Sequence, residues 1–382
     1  MSAGQLKQFL ITAAKLGVSA VLIAYLAWRA SGDDQFQSLL ERPKDWSVLV
    51  LALPICLLAV TATILRWHFL IWALGLKFTV RETLRAGFLA YLANLLPLGL
   101  VAGDSLKAVM LIHRNPRRKT EAVAAVLVDR VLGLFALLLL AAIASLFLPA
   151  EQIARLAPRD QLFVQRLCWV VQGTSLLSTL GLVVMLIPAV TRSGLWDKLE
   201  HAPLVGRVLH KLVGAMRAYR QRVDLLLAAI GLSLVIHTLY VSAICLMSMS
   251  IGIPPDQQPA WGSIFVIVPP SMIAGALPIG VYEITITLLF QAISPPSAPQ
   301  NMGLLIALAY RLIQISIATI GVGYWLAGRS EVRELMHEAE EQPPEAALNG
   351  DDPPPPDAPA RLSLAPSHSS AGNDAAGNWP AR

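Results

Sequence analysis

Charge is scarce in this 382-residue chain: 14% of its residues are Asp, Glu, Lys or Arg, against roughly 25% in ordinary soluble domains. With 55% hydrophobic residues and a mean hydropathy of +0.59, that shortage excludes a soluble globular enzyme. Cysteine is scarcer still. Cys56, Cys168 and Cys245 stand singly in apolar stretches, without the paired spacing of a disulfide framework or a zinc site. They read as packing residues, and no metal is expected. A phosphate-cradling Walker loop is also lacking, so no nucleotide or other cofactor is expected, and any drive would come from a gradient or a partner.

What the chain does have is apolar length. A bilayer core needs about 20 consecutive apolar residues in a helix. Runs of that kind predict full spans at 9–28, 48–65, 122–148, 167–190, 224–250 and 303–327. The first run carries Lys15 and no small-residue cleavage site before Arg29, so it reads as a retained anchor rather than a signal peptide. Two regions, 84–113 and 262–293, each hold an apolar segment, a Pro/Gly break and a second apolar segment. Such broken segments are expected as re-entrant hairpins, because freed backbone groups at membrane depth must be satisfied by protein or water. The fold class is therefore an all-α polytopic membrane protein with about six full spans and two broken hairpins.

The formal net charge of +5 conceals an asymmetry. From Arg329 onward 4 Arg face 10 acidic residues, net −6, which leaves +11 on residues 1–328. That tail, 329–382, also holds 9 of the 26 prolines; too apolar-poor to offset chain entropy, it is expected to be disordered from about 338. Its acidity makes it a candidate contact for a protein partner. With the N-terminus inside, 17 basic residues fall on the cytoplasmic side and 6 outside, with Lys15, Arg130 and Arg311 left within spans. The excess predicts an inner-membrane protein with both termini cytoplasmic. The basic stretch 192–222 interleaves Leu and Val with Lys and Arg, the pattern of an interfacial helix on anionic lipid headgroups. Membrane topology accounts for the basic charge, so no nucleic-acid partner is expected.

A repeat organises the membrane part. Leu96-Pro97-Leu98-Gly99 recurs as Leu277-Pro278-Ile279-Gly280, 181 positions on, and each Pro lies 33 residues before an intramembrane Arg, Arg130 or Arg311. The same offset maps span, broken hairpin and span of 48–148 onto 224–328. One extra crossing at 167–190 turns the second copy over, so an inverted-topology repeat is expected, with the first hairpin on the cytoplasmic side and the second outside.

Charges within a bilayer are costly and mark function by default, with pairing between helices as the structural alternative. Arg130 and Arg311 each sit about eight residues into a span, roughly 12 Å from opposite faces. A guanidinium at that depth suits a phosphate or carboxylate; alternatively Arg130 pairs with Asp104 and Arg311 with Glu283. Asp104 and Glu283 open the second arms of the hairpins, where a carboxylate caps free N–H groups. They are also candidates, with Asp129, for counter-charge or proton coupling. Asp129 adjoins Arg130 and so points about 100° away round the helix, towards Lys107 or another helix. Asn94, Lys107 and Tyr310 are further candidate substrate ligands, while His237, Tyr282 and Gln314 add hydrogen-bonding capacity. Pro97, Gly99, Gly103, Pro278 and Gly280 are the candidate hairpin and hinge positions. No residue is singled out as catalytic.

These motifs carry a resemblance. Asn94-Leu95-Leu96-Pro97 with Gly103-Asp104 and Lys107, Asp129-Arg130-Val131-Leu132-Gly133-Leu134, Pro278 with Gly280 and Glu283, and Leu308-Ala309-Tyr310-Arg311-Leu312 resemble the flippase-like membrane domain of lysylphosphatidylglycerol synthases, over about residues 10–328. The resemblance implies movement of a phospholipid or lipid-linked anionic headgroup between leaflets. Lys107 stands where that family often has Arg, and the second hairpin lacks the usual additional glycines. The soluble aminoacyl-transfer domain of a full synthase has no counterpart in this chain, so no enzyme activity is expected of it. The alternative expectations are a non-transporting scaffold in lipid or envelope biosynthesis and a lipid-carrier-dependent transferase.

Overall fold

A computed structural model describes residues 34–95, 101–187, 219, 222–275 and 280–328. The predicted span 9–28, Pro97, Gly99, Pro278, nearly all of the interfacial stretch 192–222 and the acidic tail lie outside the described residues. Eleven α-helices and no strand are found among the described residues: α1 (Asp34–Glu41), α2 (Trp46–Ala73), α3 (Val80–Leu95), α4 (Val101–Arg114), α5 (Lys119–Leu146), α6 (Ala150–Ala154), α7 (Pro158–Leu186), α8 (Val223–Ser250), α9 (Trp261–Ala274), α10 (Val281–Ile293) and α11 (Met302–Ala327). Helices α2, α5, α7, α8 and α11 are long and apolar enough to cross a membrane. The arms α3, α4, α9 and α10 have only 13 to 16 residues, about 20–24 Å of helix, short of a hydrocarbon core about 30 Å thick. The chain is an all-helical, multi-pass membrane protein.

The two breaks fall where the Pro/Gly motifs stand, between Leu95 and Val101 and between Ala274 and Val281. Gly280, at φ +104°, begins the second arm in a backbone region closed to side-chain-bearing residues. The offset of 181 seen in the sequence carries α2, α3, α4 and α5 closely onto α8, α9, α10 and α11. Helix boundaries differ from expectation in one important place. The uncharged run ends at Leu65, but α2 continues through Arg66 to Ala73, because Phe69-Leu70-Ile71-Trp72 renews the apolar face. Arg66 and Lys107 are buried, so they leave the orientation count, which still stands at 15 against 6.

Helices α2 and α8 form the central pair. They run antiparallel: Asp45 N donates to Ser250 O at 2.9 Å at one end, while Arg66 reaches Ser233 towards the other. Two cores flank this crossing. Ala52 to Ile64 of α2 and Val241 to Met247 of α8 pack with α9, α10 and α11. Trp67 to Ile71 of α2 and Leu226 and Ala229 of α8 pack with α3, α4 and α5. The first arm of each hairpin lies against the long span of the other half, α3 on α11 and α9 on α5. Gly321 permits the α3–α11 approach, since a Cβ there would meet the Phe88 carbonyl and Leu92. Cys56 and Cys245 are free and buried in the first core. Helix α7 is peripheral and presents Trp169, Leu176 and Leu177 outwards, the apolar face a lipid-contacting span requires.

Candidate functional site

The first half-site is built on α3, α4 and α5. Asn94, in the last turn of α3, accepts a hydrogen bond at Oδ1 from Gly103 N at 3.2 Å. It thus holds one of the free N–H groups at the start of α4. A Cβ at Gly103 would overlap the Asn94 side chain and the Ala90 carbonyl, so this glycine lets the two arms close. Asp104 is the fourth residue of α4, three positions further in than the helix start expected of it. Its Oδ2 instead accepts from Arg130 Nε at 2.5 Å, and its Oδ1 is buried without a hydrogen-bond partner among the described residues. Arg130 uses only Nε in this pair, its terminal nitrogens make no hydrogen bond among the described residues, and its side chain is 40% exposed. Because α5 begins at Lys119, Arg130 lies about 17 Å along its helix, deeper than the sequence run implied.

One turn behind, a second ionic cluster is sealed inside. Arg66 is the residue the sequence reading did not single out, and it sits at the centre. Its Nε donates to Asp129 Oδ1 at 2.9 Å, its Nη2 to the Asp129 carbonyl at 3.0 Å and its Nη1 to Ser233 Oγ at 2.7 Å. The pair is 5% exposed on each side. Helices α2, α5 and α8 are therefore tied at one point, with His237 Nε2 bonded to Gly133 O at 3.0 Å beside it. Lys107 completes the cluster from α4, with Nζ 3.9 Å from Asp129 Oδ2 and 5.0 Å from the centre of the Trp67 ring. Asp129 thus faces both Lys107 and another helix. The available signal for Arg66 was the strong apolar run after it; a charge inside an extended span, rather than at its end, is a buried charge.

The second half-site repeats the first with different chemistry. Glu283 Oε1 accepts from Arg311 Nη2 at 2.5 Å and Nε at 3.1 Å. Its Oε2 accepts from Gly280 N at 3.0 Å, which caps α10. Glu283 is 7% and Arg311 27% exposed at the side chain. Tyrosines replace the extra charges. Tyr282 and Tyr310 stand with ring centres 5.8 Å apart, and Tyr91 and Tyr240 lie within electrostatic reach of Tyr310. Tyr91 also lies within electrostatic reach of Arg311, and Tyr240 of Arg66. Four tyrosines thus lie among the apolar side chains of this half, and Tyr91 and Tyr240 were not foreseen.

The structure brings Asn94, Gly103, Asp104, Lys107, Asp129 and Arg130 together in one half, and Gly280, Glu283, Tyr310 and Arg311 in the other. No group of His, Cys, Asp and Glu suited to a metal ion occurs among the described residues. Two broken hairpins, each carrying a carboxylate–arginine pair against a long apolar span, define a polytopic membrane domain whose polar groups are gathered inside. Residues 12–321 match the family described as the lysylphosphatidylglycerol synthase TM region, and the chain belongs to that family. No curated protein matches the chain. Membership fits a membrane protein of lipid or envelope biosynthesis.

Proposed function

We propose that this chain is a lipid flippase or lipid transporter that moves a phospholipid or lipid-linked anionic headgroup between the leaflets of the inner membrane. The observation that carries the reading is the pairing of each intramembrane arginine with an acid on a broken hairpin. An intramembrane arginine held by a carboxylate can exchange that partner for a phosphate without leaving an uncompensated charge. The two halves stand in different states. Among the described residues Arg130 leaves its terminal fork without a hydrogen bond, whereas Arg311 commits Nε and Nη2 to Glu283. One half receptive and the other latched is the arrangement alternating access requires. The antiparallel α2 and α8, with each hairpin leaning on the other half, support an inverted repeat as its frame.

In this reading Arg130 and Arg311 bind the headgroup from opposite leaflets, and Asp104 and Glu283 are the counter-charges displaced. Asn94, Lys107 and Tyr310 line the route, and Asp129 is held by Arg66 rather than exchanged. No bond is made or broken, so the chain is not an enzyme. Both termini lie in the cytoplasm, 192–222 rests on anionic lipid, and the acidic tail is left for a protein partner. Purified protein in proteoliposomes with a tail-labelled anionic lipid tests the activity. The expected result is leaflet exchange that Arg130→Gln and Arg311→Gln each abolish. Exchange unaffected by both would leave the arginines as struts and put the route elsewhere, whereas no exchange by the unaltered protein would favour the scaffold alternative. Cysteine labelling tests the frame: 192–222 and the tail should react from the cytoplasm, 251–262 from outside.

A further inference from the structure

One end of the bundle is strongly basic, and the chain itself carries the matching acid. Residues 74–85 and 113–121 hold seven cations against two acids, net +5. The fold zips these two stretches into one surface. Asn115 Nδ2 donates to Lys77 O at 3.1 Å and its Oδ1 accepts from Lys77 N at 2.9 Å. Arg118 Nη2 donates to Leu74 O at 2.9 Å, and Arg114 pairs with Glu82 at 3.1 Å. With Glu82 and Glu121 engaged by Arg114 and Arg118, Lys77, Arg81, Arg117 and Lys119 stand exposed with no carboxylate partner among the described residues. Membrane orientation accounts for the number of such cations, but not for the end of α11 being delivered beside them.

Tyr324 of α11 stacks on Phe88 of α3 with ring centres 6.2 Å apart, and a Cβ at Gly328 would run into the Arg85 guanidinium. The chain therefore leaves α11 against α3, where Arg81 lies one turn from Arg85 on the same helix face. The acidic stretch 331–345 begins three residues beyond Gly328 and holds six Glu against one Arg, net −5. A segment tethered that closely acts at a millimolar effective concentration, so exposed ion pairs too weak to hold a separate partner suffice. We infer that residues 331–345 dock on this basic rim, their glutamates pairing with Lys77, Arg81, Arg117 and Lys119. The occupant of the rim is thus the chain's own tail rather than anionic lipid, and the acids from Asp351 onward stay available to other partners. Because Val80 and Arg114 are the outer ends of α3 and α4, the docked segment rests on both arms of the first hairpin.

Carbodiimide coupling of the full chain, held as single copies in nanodiscs of phosphatidylcholine, tests this without reference to transport. The reagent joins a lysine ammonium to a carboxylate only where the two are in contact, and mass spectrometry reads the joined peptides. Links from Lys77 and Lys119 to 331–345 are expected at low salt. They should fall roughly tenfold or more on going from about 0.01 M to about 1 M salt, as the Debye length shrinks from about 30 Å to about 3 Å. Arg81→Gln with Arg117→Gln leaves both lysines and every carboxylate in place, touches no ion pair of the bundle, and should lower the links severalfold. Absence of the links at low salt, or links indifferent to salt and to the double substitution, would overturn the inference. Nanodiscs containing phosphatidylglycerol separate the two occupants at low salt: links that persist support the tail, whereas their loss assigns the rim to lipid headgroups and refutes the docking.

Discussion

The two halves place an arginine at the same distance from a Pro/Gly break, yet one half is charged and partly open while the other is neutral and closed. In the first, Asp104 gives one oxygen to Arg130 and leaves the other unbonded, with Lys107, Asp129 and Arg66 behind. In the second, Glu283 uses both oxygens, one on Arg311 and one on the Gly280 N–H, amid tyrosines. The two hairpins thus carry one pair with a single hydrogen bond and one pair bonded through both carboxylate oxygens. In the transport reading proposed above, such inequality within a single conformation is expected, because a route open on both sides would leak.

Substitutions can break this comparison at successive depths. The largest effect belongs to the strut that serves both halves. Arg66→Met or Asp129→Leu alone strands a buried charge and should destabilise the protein by about 3–5 kcal/mol, while the double variant should recover much of that loss, as read by thermal unfolding in detergent. Next comes the contrast between the acids. Glu283→Gln loses a charged bond to Arg311 and weakens a cap, an expected loss of about 2–3 kcal/mol, whereas Asp104→Asn, at a partly exposed single contact, should cost about 1 kcal/mol or less. Similar losses at both positions would erase the open and latched distinction. Gly280→Ala forces a side chain into positive φ and should cost about 1–2 kcal/mol. Smallest, Asn94→Ala removes one capping bond, with an expected loss of about 0.5–1 kcal/mol.

The helices were largely legible because membrane burial writes itself into long apolar runs and into Pro/Gly breaks, and the 181-residue offset located all four pairs of related helices. The acid–arginine pairs were legible as possibilities, since each pair sits on adjacent arms joined by a short turn. Arg66 was not, because a charge at the end of an uncharged run looks the same as a charge one turn inside a longer helix. Its partners Asp129 and Ser233 are 63 and 167 residues away, beyond any local pattern. Asp104 was placed at the helix start because Gly103 marks a turn, but Asn94 from the preceding arm takes the capping role and frees the acid for Arg130. Tyr91 and Tyr240 each look like an isolated polar residue in an apolar span. Only the packing of α3 and α8 beside α11 brings them near Tyr310.

The most direct test exchanges the charges of the open pair, Asp104→Arg with Arg130→Asp, and reads both unfolding temperature and anionic-lipid exchange in proteoliposomes. A strut needs only opposite charges, whereas a headgroup site needs the guanidinium at 130 and the acid at 104. The expected result is a folded protein with near-original stability and no lipid exchange. Recovery of exchange along with stability would contradict it and leave the pair as a helix tie.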